Sequence, residues 1–328
     1  MNTERITIDP QSPDPDTIAR AAAILRRGGL VAFPTETVYG LGANALDADA
    51  VGRIFTAKGR PSNNPLIVHV ADAAEVSQLT SSRPDTFAQL TAAFWPGPLT
   101  LVLPKSEVVP DVVTAGGATV AVRMPAHPVA LALLRATQLP LAAPSANLSS
   151  ELSPTSADHV LRGLAGRIDL ILDAGPTTAG IESTVLDLTA QPPRVLRPGP
   201  ITTAQLEAVI GPVTQVALSN PPETPLPSPG LLPRHYAPRT PLELGTIERV
   251  RDLARQGTRV GWVTHSRTEE ANATVREMPS DAAEYAEKLY AVLHELDTLG
   301  LDRIVVEPPP EGDEWLAIRD RLCRASQM

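Results

Sequence analysis

Between Pro221 and Pro241 the chain reads PPETPLPSPGLLPRHYAPRTP. Each proline fixes φ and removes a backbone donor, so neither a regular helix nor a central strand runs through such a stretch. Proline-dense segments are instead extended and stiff. The run reads as a semi-rigid linker over 212–240 that divides the 328-residue chain into a first unit, 1–211, and a second, 241–328. Length favours the same division, because a single core rarely keeps growing at this size.

The first unit alternates strand-like and helix-like patterns. Asp16 caps an expected helix whose apolar positions are Ile18, Ala21, Ala22 and Leu25, and Gly28-Gly29 stops it. A buried strand follows at 30–33, then helix 48–58, strand 66–70, helix 87–95 and strands 99–103 and 119–124. Helix 127–137, strand 141–144, helix 155–165, strands 170–173 and 183–188 and a helix from Thr203 complete the unit. Several neighbouring strands have no helix between them, so the sheet is expected to be mixed. After the linker come strand 242–244, helix 247–256, strand 259–264, helix 281–299, strand 303–307 and helix 313–324, the pattern of a small parallel α/β domain.

Lys plus Arg number 28 against 37 Asp plus Glu, a net charge of −9, which argues against binding nucleic acid through bulk charge. Four Phe, three Trp and four Tyr are too few for base-stacking platforms. The lone Cys323 excludes an internal disulfide framework and fits a reducing compartment. The start, MNTERITID, has no apolar run, and no stretch approaches the roughly 18 uninterrupted apolar residues of a membrane helix. A soluble cytoplasmic protein without a membrane partner is expected.

Five segments carry small, hydroxyl, amide and basic residues where strands end or turn. PTETVYGLGANA, 34–45, offers Thr35, Glu36 and Thr37, with Gly40 and Gly42 permitting close backbone approach; a tight turn accounts for it equally well. AKGRPSNNPLIVHV, 57–70, sets Lys58 and Arg60 about a glycine at an expected helix end, followed by Ser62, Asn63 and Asn64, a donor set suited to phosphate. At an exposed helix end such cations merely complement the dipole, contributing under about 1 kcal/mol. His69 sits between Val68 and Val70, a common structural setting. GATVAVRMP, 117–125, alternates so that Thr119, Ala121 and Arg123 share one face, either a cavity wall or a solvated face. PLAAPSANLSSELSPT, 140–155, leaves the carboxyl end of a strand with Ser145, Asn147, Ser149, Ser150 and Ser153, where open α/β sheets place ligands. DAGPTTAGIESTVLDLT and RVLRPG, within 173–199, add Ser183, Thr184 and Arg197, which also suit ordinary turns.

Neither a phosphate-binding GxxxxGK[ST] loop nor GxGxxG, GxSxG or HExxH is present. The six histidines lack metal-ligand spacing. A site of Arg, Lys, Ser, Thr and Asn without an obvious nucleophile suits phosphoryl or nucleotidyl transfer, where positioning and charge neutralisation carry the catalysis.

Taken in order, PTETVYGLG, KGRP, NPL, WPGPLT, VRMP, PSAN, ST, RPG and the SPG…RHYAP linker resemble the threonylcarbamoyl-AMP synthase family in its longer two-domain form, the YrdC-like part matching over about 12–211. The resemblance implies an open twisted mixed sheet with helices, followed by a small Rossmann-like domain. It implies a nucleotidyltransferase that turns ATP, L-threonine and bicarbonate into threonylcarbamoyl-adenylate and pyrophosphate, with Mg2+ held mainly by phosphates and waters. A downstream transferase then moves the threonylcarbamoyl group to the adenosine beside the anticodon, so tRNA is met only indirectly. By motif, Lys58 and Arg60 are the expected catalytic cations. Arg60, Asn64, Thr119, Ser145, Asn147, Ser153, Arg197, Arg234 and Tyr236 are expected around ATP, and Thr37, His69, Arg123, Ala143 and Ser183 around threonine. Arg123 would fork onto the amino-acid carboxylate. The linker would lie across the mouth of the cleft. Where the family commonly has an SPGMKYRHY-like run, this chain has Leu231, Leu232 and Pro233 before Arg234, His235 and Tyr236. Two other readings are a double-stranded RNA binding module and a carbamoyl-transfer maturation factor; the latter expects cysteine-rich zinc motifs, which one cysteine opposes.

Overall fold

The computed structural model describes residues 2–215, 235–266, 270 and 272–327. The first helix, Pro15–Arg26, is capped two residues earlier than expected: the Asp14 carboxylate, not that of Asp16, accepts from the Thr17 N–H at 2.9 Å. Pro15 occupies the opening position, where its missing N–H has no helical partner to lose.

Among the described residues, eleven strands form one sheet. They are β1 (Glu4–Thr7), β2 (Val31–Phe33), β3 (Gly40–Asn44), β4 (Ile67–His69), β5 (Leu99–Pro104), β6 (Thr119–Arg123), β7 (Leu141–Ala142), β8 (Leu170–Asp173), β9 (Thr184–Asp187), β10 (Arg194–Arg197) and β11 (Thr214–Gln215). Their order is β1-β8-β2-β3-β7-β4-β6-β5-β9-β10-β11. The sheet is mixed, as the helix-less connections imply: β4 runs parallel to β6, while β5 opposes β6 and β7 opposes both β3 and β4. One face packs on helices Pro15–Arg26 and Pro128–Thr137 through Val31, Phe33, Leu133 and Leu170. The other packs on Ala48–Lys58 through Ala32, Val51, Ile54 and Val68. Both faces are aliphatic, consistent with strands buried on both sides.

The segment 34–45, read from sequence as a turn, contains β3. A Cβ at Gly42 would stand 2.8 Å from the Phe33 ring, so this glycine serves strand packing rather than a ligand. The linker reading also needs trimming. β11 extends the first sheet to 215 by pairing in parallel with β10, and Ala237 donates to the Ser150 carbonyl at 3.1 Å. The intervening run, Arg234 included, lies outside the described residues.

The second sheet holds β12 (Leu242–Leu244), β13 (Val260–Thr264), β14 (Ala273–Glu277) and β15 (Arg303–Val306), all parallel in the order β12-β15-β13-β14. The half-buried edge strand β14 escapes the sequence pattern because its alternation is weak. The two domains share a core: Val38, Leu152, Ile181 and Tyr236 pack with Tyr285, Leu289, Tyr290 and Ile318. Gly180, at φ +70°, allows this contact, since a Cβ there would stand 2.2 Å from the Ala286 carbonyl. Among the described residues no helix is long and apolar enough to cross a membrane.

Candidate active site

The carboxyl ends of β4 and β6, the start of β9, the end of β10 and the loops before β3 and after β7 surround a cleft. Its wall includes Thr37, Arg60, His69, Arg123, Ala143, Ser145, Ser183, Arg197 and Tyr236, drawn from all five segments before the linker and from the linker's end.

Arg123, buried at the end of β6, donates from Nε to the Gly97 carbonyl at 3.1 Å and from Nη1 to the Thr37 hydroxyl at 2.9 Å. Its Nη2 lies 2.6 Å from Glu36 Oε1. The open fork expected from sequence is therefore already engaged by Glu36, and a substrate carboxylate would share it. Across the cleft, Arg197 donates from Nε and Nη2 to the Ser183 carbonyl at 3.2 and 2.9 Å, and Ser183 Oγ lies 2.8 Å from Thr100 Oγ1. Ala143 gives its N–H to the Ile67 carbonyl at 3.0 Å.

Lys58 and Arg60 follow helix Ala48–Lys58 about Gly59, whose φ of +60° terminates it. Neither is exposed: relative accessibilities are 2% and 8%. The dipole-complement reading with its small energy fails for that reason. Lys58 does not line the cleft. Its Nζ donates to the Ser145 carbonyl at 2.5 Å, the Asn147 carbonyl at 2.6 Å and Asn147 Oδ1 at 3.2 Å. Burial, with Arg60 adding, pushes its pKa well below the ordinary lysine value. Three oxygen acceptors nevertheless call for three N–H donors, which only the ammonium has. Lys58 is thus a buried tie for the 145–147 loop. Arg60 donates to the Asn64 carbonyl at 3.0 Å, Asn64 Oδ1 at 2.7 Å and the Pro65 carbonyl at 2.8 Å, and burial lowers its pKa to about 10.

Asn64, Asn147 and Ser153 support the wall without lining it: Asn64 holds Arg60, Asn147 Oδ1 accepts from Ser145 Oγ at 2.5 Å, and Ser153 donates to Glu182. Thr119 opens β6, four residues before Arg123, and is outside the lining. Sequence reasoning missed Glu182, a buried carboxylate of the wall; nothing in GIEST marks it as anything but a loop acid. Burial pushes its pKa up, but Arg321 and Arg197 outweigh that and hold it at about 2. His69 and His235 are neutral, each lowered to about 3 by burial and a neighbouring arginine, Arg123 for the first and Arg60 for the second. Among the described residues, His69 Nδ1, His235 Nδ1 and the Tyr236 hydroxyl have no partner. Buried polar atoms without partners at a cleft wall mark a ligand-binding surface.

A family model described as Telomere recombination matches residues 23–199, and one described as Threonylcarbamoyl-AMP synthase, C-terminal domain, matches 201–327. Threonylcarbamoyl-AMP synthase of Bacillus subtilis (strain 168) is 47% identical over 344 residues, covering 99% of this chain and 98% of its own. The chain belongs to the threonylcarbamoyl-AMP synthase family. Its relative from Pyrococcus abyssi (strain GE5 / Orsay) is 46% identical over 319 residues, covering 93% of both chains. A crystal structure of P. abyssi Sua5 complexed with L-threonine superposes with a TM-score of 0.91 at 43% identity, covering 99% of this chain and 98% of that one.

Two predictions follow from the buried groups. Lys58→Met should lower stability by about 3 kcal/mol, the consequence of orphaning buried carbonyls at about 1–3 kcal/mol each; urea unfolding with an unchanged midpoint would contradict the tie. The histidines His69, His159, His235 and His294 titrate at about 3, 3, 3 and 4 in the folded protein, all depressed by burial. Unfolded, each binds a proton near 6.5, so this stability is complete above that pH and drains away as pH falls toward 3. Calorimetry should find the melting temperature level above pH 7 and falling steeply from 6.5 to 4.5.

Proposed function

We propose that this family member condenses L-threonine, bicarbonate and ATP into threonylcarbamoyl-adenylate and pyrophosphate. One observation carries the reading: three buried guanidiniums, Arg60, Arg123 and Arg197, border a single cleft among hydroxyls. Like charges in a poorly solvated cleft call for anions, and a triphosphate beside an amino-acid carboxylate supplies them. The P. abyssi structure with L-threonine supports the amino-acid side. Guanidiniums buried in a cleft, in a chain of charge −9, disfavour an RNA-binding surface.

Thr37, His69, Arg123, Ala143 and Ser183 would surround threonine, while Arg60, Ser145, Arg197 and Tyr236 would face the nucleotide. Neither the Ser145 nor the Ser183 hydroxyl is bonded to a base among the described residues, which favours direct attack over a covalent enzyme intermediate. The threonine amine takes up carbon dioxide from bicarbonate, with loss of water, as a carbamate. A carbamate oxygen then bonds the α-phosphorus, and the bond to the bridging oxygen breaks so that pyrophosphate leaves with the electron pair. Arg60 and Arg197 would neutralise the charge on the triphosphate. Mg2+ would add to that neutralisation. Glu182 of the wall and Glu36, between the lining residues Thr35 and Thr37, are each paired with an arginine, a donor set that fits an ion carried by phosphates and waters. A separate transferase would deliver the threonylcarbamoyl group to tRNA, and a cytoplasmic location suits that sequence of steps.

His235 and Tyr236 line the cleft, which supports the view that this described end of the linker screens the labile adenylate from water. Incubation with ATP, labelled bicarbonate and L-threonine should yield pyrophosphate and a labelled adenylate. Pyrophosphate at full rate with threonine or bicarbonate omitted would overturn the reaction. Tyr236→Ala should impair product formation more than threonine binding; equal rates with the unaltered protein would reduce the linker to a spacer.

A further inference from the structure

We propose that Arg321, on the last helix of the second domain, is a positioning residue of the cleft: its fork clamps the Ser183 segment to the Arg197 segment and keeps the Glu182 carboxylate away from the substrates. Arg321 is 1% exposed. Its Nε donates to Glu182 Oε2 at 2.7 Å, and its Nη2 donates to the Pro198 carbonyl at 3.0 Å. Its Nη1 donates to Asp320 Oδ2 at 2.6 Å, and Asp320 in turn accepts from Arg324 at 2.9 Å. The guanidinium carbon lies 5.0 Å from the centre of the Tyr236 ring.

One side chain from outside the first sheet thus reaches the residue before Ser183 and the residue after Arg197. These two segments already press together, for a Cβ at Gly199 would stand 2.2 Å from the Thr184 nitrogen and 2.5 Å from the Ser183 carbonyl carbon. Glu182 takes further donations from Ser153 and from the Tyr290 hydroxyl at 3.2 Å. Buried ion pairs add little net stability relative to apolar packing, so stability alone gives no reason for a charge cluster at this wall. Position and charge do. Without the fork, an uncompensated Glu182 would draw Arg197 off the Ser183 carbonyl and oppose an incoming triphosphate. A lysine could not replace it, since an ammonium is a point charge that does not span both partners.

The clamp rests on the threonine and ATP reading of the cleft, and the test separates the two. In the full-length protein, Arg321→Met should raise KM for L-threonine and ATP by about tenfold or more, in keeping with small displacements at a preorganised site, with a smaller fall in kcat. Removing the carboxylate as well, in R321M/E182Q, should bring both KM values back to within about threefold of E182Q alone, because no free charge is left to mispair. A purely structural role lowers the melting temperature and gives neither the KM rise nor the rescue. Unchanged KM values in R321M, or a double variant as impaired as R321M, would overturn the clamp. Should R321M fail to fold, R321K carries the same test: charge kept, fork lost, KM raised, with an unchanged KM counting against it. Calorimetric titration of L-threonine into the unaltered protein completes the design. Absence of binding there sinks the substrate reading, whereas equal binding to the unaltered protein and to R321M or R321K sinks the clamp.

Discussion

The ammonium of Lys58, buried at the end of a helix and held by three oxygens of residues 145 and 147, anchors one side of the cleft. The Lys58 carbonyl itself accepts from Ser149, so helix end and loop are bonded in both directions. From there the connection runs on. Asn147 donates to the Glu151 carbonyl at 2.8 Å, and the neighbouring Ser150 carbonyl receives the N–H of Ala237 beside Tyr236. The described end of the linker is thereby placed on the cleft by a loop that depends on one desolvated charge. Such a charge is tolerable only when every proton is directed at an acceptor.

That arrangement sets the electrostatics of the cleft. Arg60 stands close enough to depress Lys58, Arg197 in turn depresses Arg60, and the two histidines of the wall are kept neutral beside these cations. Preorganised positive charge in a poorly solvated space needs no rearrangement when negative charge arrives, which is the property that nucleotidyl transfer exploits. Glu182 of the wall and the neighbouring Glu36 are held in arginine pairs, leaving the net field favourable to anions.

The second domain is more than an appendage. Its helices share an apolar core with Val38, Leu152 and Ile181, residues adjoining the cleft segments, and its last helix inserts a guanidinium against Glu182. Helices Ala282–Leu296 and Leu316–Ala325 of that domain bring Tyr290 and Arg321 against Glu182 and Pro198, supporting the loops before β9 and after β10.

Much of this was legible in the chain order. Helical spacing located Ala48–Lys58, branched residues located β4, β5 and β6, and the proline run separated two units, because these signals are local and governed by backbone sterics. The motif residues Thr37, Arg60, Arg123, Ser145, Ser183 and Arg197 were also readable as a set. What sequence could not decide was which atoms face a ligand and which hold the wall. Lys58 and Asn64 sit in the same motif as Arg60, yet Asn64 props that guanidinium from four residues away, while Lys58 turns aside to tie a loop because the fold brings Asn147, 89 positions on, against its ammonium. Glu182 and Arg321 are separated by 139 positions and have no pattern to link them. Only the packing of one domain on the other removes water from both and makes each the partner the other requires.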